Sequence, residues 1–363
     1  MENHQFKLIY SPGLEDLGIL ELKEKWKLLF NEELPLFERS KGVVSLETTY
    51  EKGVMLCHYL KIPSKIFLKV ASFKCRDLPK LFNKIKKINW KPYLYREEIH
   101  FDVTSKKSRL INTKKIEETL KEAFKQYFNA NHLKEKIIEE HKNLPPPHLV
   151  VRLVDDELTL QLNISGDLHK RGEGEYRGIA GLRETYASAL LYYLKNHSKA
   201  SKLIDPMCGS GTFLFEAKNF YSPTQKDFPY LHTSRQQREE LPPKLFQEFY
   251  GRDIYKKNIE MLKEQKDFHI ELDNIFKATK RIPNGAVIIN APYGKRVKLD
   301  DSPENYYPKL ASAVLENYTP DAFAFLIPRP SKKTFLRLKD LSFKEVLRFN
   351  NNSIDVSLFF YLK

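Results

Sequence analysis

In Leu203-Ile204-Asp205-Pro206-Met207-Cys208-Gly209-Ser210-Gly211-Thr212, a short apolar run stops at an acid and a G-x-G turn follows, with a helix expected over 212–220. Glycines let the main chain approach a ligand closely, and the carboxyl end of a strand is where open α/β sheets bind ligands. The turn is not a dinucleotide fingerprint, because Phe213 and Leu214 follow where G-x-x-G would place its last glycine. Nor is it a P-loop, since no G-K-[ST] is present. With no pyrophosphate to cradle, the compact turn suits a ligand that joins an amino acid to a nucleoside. S-adenosylmethionine is such a ligand, its ammonium meeting the Asp205 region. A second strand, Phe249–Ile254, carries Asp253, placed to accept both ribose hydroxyls. Asp253 lies 48 residues beyond Asp205, against about 20 in the dinucleotide motif. The polar, proline-bearing stretch Tyr221–Glu248 accounts for the excess and reads as an insertion. A third strand ends near Leu272-Asp273-Asn274, where Asp273 can receive the adenine amine, although an acid after a strand also serves simply as an N-cap. The candidate cofactor contacts are Asp205, Pro206, Cys208, Gly209, Ser210, Gly211, Thr212, Asp253, Ile254, Asp273 and Asn274, with Asn290 adjoining them.

Ala286-Val287-Ile288-Ile289-Asn290-Ala291-Pro292-Tyr293-Gly294 is an apolar strand that stops at Asn290. An exocyclic base amine is a poor nucleophile because its lone pair is conjugated into the ring, and acceptors for its N–H groups help the nitrogen pyramidalise. The Asn290 side-chain oxygen and the Ala291 carbonyl are two such acceptors. Pro292 stiffens the turn, and Tyr293 offers a ring on which an extruded base stacks, worth roughly 1–3 kcal/mol. The alternative is a strand-to-turn corner whose tyrosine is core. Asn290, Ala291, Pro292 and Tyr293 form the candidate catalytic set.

These motifs need a parallel sheet, and the pattern after residue 181 supplies it: long helix, apolar strand, glycine turn, helix, strand. The first half reads differently. Strands are expected at Phe6–Tyr10, Gly42–Thr48, Lys65–Phe73 and Ile99–Val103, with helices at Glu15–Trp26, Leu78–Ile88 and Lys114–Tyr127. In the last helix Ile116, Leu120, Phe124, Tyr127 and Phe128 share one face. A hairpin, Leu149–Val154 and Glu157–Ile164 turned at Asp155-Asp156, follows the stiff connector Pro145–Pro147. The order suggests ferredoxin-like α+β units. Ser165–Gly181, rich in glycine and charge without a hydrophobic period, reads as a linker.

A chain of 363 residues with 41% hydrophobic and 30% charged residues is expected to bury real cores in two or three domains. No apolar run approaches the roughly 18 residues of a membrane helix, and Met1–Gln5 begins no signal peptide, so a soluble, cytoplasmic protein is expected. Cys57, Cys75 and Cys208 lie far apart with no C-x-x-C pair, which favours neither a disulfide framework nor a metal site. Net charge is +14 and unevenly placed. Residues 1–60 carry 7 basic and 10 acidic residues, a balance of −3, whereas residues 61–130 carry 18 and 7, a balance of +11. Such concentration is the footprint of a polyanion, or else a lysine-rich solvated surface.

Taken together, Asp205–Thr212 and Asn290–Gly294 resemble the THUMP-domain class I methyltransferases that methylate N2 of guanine in RNA. The likeness extends to Pro12-Gly13-Leu14-Glu15, to Ser165–Gly172 with Tyr176-Arg177, and to Leu182–Ala187. The resemblance implies a Rossmann-like, S-adenosylmethionine-dependent α/β domain preceded by an α+β ferredoxin-like and THUMP RNA-binding unit. Its boundaries would be 1–60 (ferredoxin-like part), 61–165 (THUMP-like), 166–181 (linker) and 182–363 (catalytic). It also implies RNA contacts at Lys84, Lys86, Lys87, Lys106, Lys107 and Arg109, and in the linker at Lys170, Arg171 and Arg177. The bacterial branch acts on 23S rRNA, and a related branch acts on tRNA. Ala291 stands where the family carries the first proline of N-P-P-Y, and the linker Arg171–Arg177 is less compact than is usual there. The competing readings are an adenine-N6 methyltransferase on DNA, which shares an Asn/Asp-Pro-Pro-Tyr/Phe site, and a non-catalytic RNA-binding or assembly protein.

Overall fold

Residues 3–74 fold as strand, helix, two strands, helix, strand: β1 (Asn3–Ile9), α1 (Glu15–Phe30), β2 (Phe37–Ser40), β3 (Val43–Thr49), α2 (Tyr50–Tyr59) and β4 (Lys65–Lys74). Alternation drives it, since Phe6 and Leu8 of β1 and Ile66 and Leu68 of β4 are buried while Lys7 and Lys69 point the other way. In the computed structural model, residues 3–94, 98–130, 145–168, 182–224, 244–277, 281–294, 299–351 and 353–363 are described.

The chain continues with α3 (Leu78–Lys87), β5 (His100–Lys106), α4 (Thr113–Ala130), β6 (His148–Val154) and β7 (Glu157–Asn163). All seven strands form one sheet, ordered β2-β3-β1-β4-β7-β6-β5, antiparallel except for the β5–β6 pair. Register pairs Phe6 with Leu68, Leu68 with Leu162, Leu162 with Leu149 and Leu149 with Phe101, so one apolar row crosses the sheet on a single face. The helices cover that face. A Cβ on Gly53 of α2 would strike the Phe6 ring, and Phe124 of α4 lies 5.7 Å from Phe101 and 4.6 Å from Trp90. The β6–β7 hairpin turns at Asp155 and Asp156 as expected, with φ of 50° and 62°, the left-handed pair of a type I′ turn.

The second half holds α5 (Glu184–Asn196), β8 (Lys202–Asp205), α6 (Thr212–Lys218), β9 (Glu248–Asp253), α7 (Lys256–Lys263), β10 (Phe268–Leu272) and β11 (Ala286–Asn290). It ends with α8 (Pro303–Tyr318), β12 (Ala322–Pro328), α9 (Lys332–Asp340), β13 (Lys344–Asn351) and β14 (Ile354–Leu362). Its sheet runs β10-β9-β8-β11-β12-β14-β13, parallel up to β12, with β14 antiparallel between β12 and β13. Helices cover both faces, which is why β11 and β12 are apolar throughout. Ala286, Ile288, Ala322 and Ala324 face the core that includes α5, while Val287, Ile289, Phe323 and Phe325 face α8.

The sequence reading places most of these elements but stops α1 at Trp26, four residues short, and counts Leu20, which is half exposed, among its apolar positions. It contains neither β2 nor α2, and nothing after Gly294.

The two sheets meet through α1. Lys25, 1% exposed, spends all three ammonium donors: on Glu21 Oε1 (2.7 Å), on the Tyr59 carbonyl (2.7 Å) and on the Phe220 carbonyl just beyond α6 (2.9 Å). Its Nζ also lies 3.9 Å from the Phe220 ring centroid. Glu21 accepts from the Lys61 and Ile62 N–H groups, and Glu24 accepts from the hydroxyls of Tyr192 and Tyr221, each at 2.6 Å. A second contact sits at the start of α1. The Ser11 hydroxyl donates to Tyr186 of α5, whose hydroxyl donates to the Asn350 carbonyl of β13.

Candidate active site

The order of the second sheet reverses between β8 and β11, and at such a switch the carboxyl ends of neighbouring strands open one crevice. Asp205, at the end of β8, is 2% exposed and accepts from the Met207 N–H at 3.2 Å. Burial pushes its carboxyl up to about 8; the Met207 N–H works against this and the nearby Asp253 charge adds to it. Burial likewise pushes the Cys208 thiol up. The backbone then ties the turn to the next strand, the Cys208 N–H donating to the Arg252 carbonyl and the Gly209 N–H to Asp253 Oδ2, both at 2.8 Å. The other Asp253 oxygen accepts from the Tyr255 N–H. Each carboxylate oxygen has a further lone pair, so Asp253 can still accept a hydroxyl.

The two glycines of the turn differ. Both are left-handed, but a Cβ on Gly209 would meet nothing within 4 Å, whereas one on Gly211 would come within 2.7 Å of Leu262 in α7. Gly209 faces open space and Gly211 packs. Beside the turn, Pro206 and Cys208 are buried, and Ser210 and Thr212 are half-buried. Ile254 and Leu272 stand about half exposed at the ends of β9 and β10, apolar surfaces of the kind a flat base covers. Two carboxylates, an open glycine and an apolar rim fit an amino-acid nucleoside.

Asp273 takes a hydrogen bond from the Asn274 N–H on one oxygen and pairs with Arg252 at 3.0 Å on the other. Asn274 caps the following turn by accepting from the Phe276 N–H. Arg252, 2% exposed, also reaches Glu271 (3.0 Å) and the Tyr318 hydroxyl (3.2 Å). The sequence reading passes over Arg252, although a charged residue inside a buried strand is itself the signal that it holds something.

β11 delivers Asn290 to the same edge of the sheet. The Ala291 N–H donates to the Leu326 carbonyl, and the Tyr307 hydroxyl of α8 to the Pro292 carbonyl, so the turn is held from two elements although the first proline is replaced. Tyr293 folds back over the strand end. Its hydroxyl donates to Asn290 Oδ1 at 2.8 Å and faces Asn351 Nδ2 at 3.4 Å. Burial pushes the Tyr293 phenol up to about 12, so the hydroxyl keeps its proton. Asn351, at the end of β13 and 7% exposed, is missing from the sequence reading. Its Oδ1 is buried with no hydrogen-bond partner among the described residues, an arrangement that costs about 1–3 kcal/mol.

The basic candidates lie on the first sheet's unit in two groups. Lys84, Lys86 and Lys87 are exposed on the last turn of α3. Lys106 ends β5 and Lys107 and Arg109 follow it, the latter two lining a depression of about 410 Å³ beside Asp156. Arg76, just before α3, pairs with Asp156, so the two groups sit at opposite ends of α3, about 12–15 Å apart. Lys170, Arg171 and Arg177 lie outside the described residues. Among the described residues no cluster of His, Cys, Asp and Glu is placed to hold a metal ion, and no helix is long and apolar enough to cross a membrane.

Comparison with known proteins adds a family. Residues 171–356, half of the chain, match the RMKL-like methyltransferase domain, UPF0020, and the chain belongs to that family. The ribosomal RNA large subunit methyltransferase K/L of Vibrio cholerae is 28% identical over 327 residues, covering 81% of this chain and 44% of that protein. The chain spans about half the length of the curated relatives of this kind that it matches. Among solved structures, SMU.472 complexed with SAH has a TM-score of 0.74 at 19% identity, covering 100% of this chain and 98% of that one. TrmN from Thermus thermophilus has a TM-score of 0.70 at 17% identity, covering 99% of each. At these identities the likeness is one of fold, the class I methyltransferase fold that the strand order also describes.

Proposed function

We propose that this member of the RMKL-like family transfers a methyl group from S-adenosylmethionine to the exocyclic N2 amine of a guanine in structured RNA, 23S rRNA before tRNA. The observation that carries the reading is the placement of Asn290 at the same sheet edge as Asp205, across the switch point from the Asp205–Asp253 turn. In this reading Asp205 through Thr212 hold the methionine end, Asp253 and Ile254 the ribose, and Asp273 and Asn274 the adenine. The sulfonium supplies an activated methyl, and transfer is an in-line displacement favoured by positioning and by a complementary field. Asn290 Oδ1 already accepts from Tyr293 and keeps a lone pair for the amine. Ala291 and Pro292 shape the turn, and Tyr293 contacts the base.

We further assign residues 1–60 to the ferredoxin-like part, 61–165 to a THUMP-like RNA-binding domain, 166–181 to the linker and 182–363 to the catalytic domain. Lys84, Lys86, Lys87, Lys106, Lys107 and Arg109, with Lys170, Arg171 and Arg177 of the linker, would meet phosphates in the cytoplasm, where ribosomal and transfer RNA reside. The large-subunit relatives support rRNA as the substrate. The test is methylation of rRNA and tRNA from cells lacking the gene, with products resolved as nucleosides. N2-methylguanosine in rRNA is the expected product, N6-methyladenosine would replace the reading, and no product on either RNA would favour the assembly protein.

A further inference from the structure

Asn351 lies on the last residue of β13, sixty-one positions after Asn290 and on a different strand, yet one hydroxyl bridges the two side chains. Because Asn351 Nδ2 donates to the Tyr293 oxygen, the Tyr293 proton points onward to Asn290 Oδ1. The neighbouring Asn350 is fully engaged: its carbonyl accepts from Tyr186, its Nδ2 donates to Asp355, and its Oδ1 accepts from the Ser353 N–H. Asn351 Oδ1 is left as a buried acceptor with no partner among the described residues, on a side chain whose Nδ2 touches the Tyr293 hydroxyl. Buried carboxamide oxygens ordinarily find a donor, and an exception beside a reaction site points to a donor that arrives with the substrate.

We infer that Asn351 is a specificity-determining residue, the acceptor for the ring N1–H of the target guanine. The inference rests on the guanine reading above. The Watson–Crick edge of guanine presents two adjacent donors toward the site, N1–H and the N2 amine. Adenine presents its N6 amine beside a bare N1 lone pair, which would face the Asn351 oxygen and repel it. Two carboxamide oxygens flanking Tyr293, one from β11 and one from β13, therefore complement guanine and mismatch adenine. A site built to accept from a substrate N–H rejects an analogue lacking that group, because its own polar atom is left unpaired. The Tyr293 hydroxyl lies between the two carboxamides and holds both in place beside the base edge.

The placement of Asn351 depends on the N-terminal turn as well. A Cβ on Gly13 would strike the Arg348 carbonyl at 2.7 Å, and the Ser11–Tyr186–Asn350 chain reaches the neighbouring residue, so the first unit braces the hairpin that carries the acceptor.

Asn351→Leu removes the acceptor, whereas Asn351→Asp keeps one in the same shape. Single-turnover methylation of 23S rRNA from cells lacking the gene would be followed with nucleoside analysis, and the affinity for S-adenosylhomocysteine measured by calorimetry. Asn351→Leu should form N2-methylguanosine about 10–100-fold more slowly, with S-adenosylhomocysteine affinity within twofold of wild type, and Asn351→Asp should recover at least tenfold over it. Equal rates in Asn351→Leu and wild type, or equal losses in the two variants, would overturn the inference. Wild-type enzyme that makes no N2-methylguanosine would instead remove the guanine reading on which the inference rests.

Discussion

Two buried polar clusters lie at opposite ends of one logic. At the join of the two sheets, every ammonium hydrogen of Lys25 is used and its carboxylate partner Glu21 accepts two backbone N–H groups besides. At the edge of β11, the chain that runs from Asn351 through Tyr293 to Asn290 begins at a residue whose Oδ1 has no hydrogen-bond partner among the described residues. Lys25 and Asn351 are both buried, where an unmade hydrogen bond is expensive. The completed cluster fixes geometry, and the incomplete one leaves Asn351 Oδ1 for the substrate contact inferred above.

The comparison breaks first where the completed cluster is broken. Lys25→Met leaves Glu21 buried without its cation and should cost about 3–5 kcal/mol of stability in urea unfolding. A loss under about 1 kcal/mol would mean that the pair merely balances its own desolvation. On the open side, Asn290→Ala should lower single-turnover methylation by about 10²–10³, or about 3–4 kcal/mol, with RNA and S-adenosylhomocysteine affinities little changed. Wild-type turnover would remove Asn290 from the chemistry. Asp253→Ala lies between the two extremes, because its oxygens are already tied to the Gly209 and Tyr255 N–H groups. Calorimetry should show S-adenosylmethionine bound at least tenfold more weakly, about 1.4 kcal/mol.

The remaining test is one of pH and concerns Asp205, which keeps its proton in the unliganded fold to about pH 8 but ionises near 3.8 in the unfolded chain. Across that window only the unfolded state releases the proton, so this carboxyl takes stability away as pH rises from about 4 to about 8. Urea midpoints at pH 5 and pH 8 should therefore differ less in Asp205→Asn than in wild type. An unchanged difference would show that Asp205 is ionised in the fold.

The parts legible in the sequence are those written locally. An acid ending an apolar run before G-x-G marks Asp205 and its turn, Asn290 ends a run of β-branched residues, and alternation with two aspartates between marks the β6–β7 hairpin. Lys25 escaped notice because a lysine in a helix reads as solvated, although it shares a face with Leu22 and Leu29, both buried. Tyr307, Asn351 and Arg252 act through contacts made only when strands and helices distant in sequence come together. No spacing rule carries that information. The glycines also looked alike in the sequence, and only the backbone separates Gly209, facing open space, from Gly211, packed on Leu262.

The double attachment of α1 has a consequence for measurement. Ser11 meets α5 before the helix begins and Lys25 meets the Phe220 carbonyl about 15 Å further along the axis, so two separated contacts oppose rotation about either one. The molecule then behaves as a pair of calipers set to one opening. On the proposed function, an RNA feature seated against the first unit would present the methylated base at that fixed offset, so the target would be chosen by span as well as by neighbouring letters. If that function holds, resetting the calipers by repacking α1 should move the mark along the RNA rather than erase it.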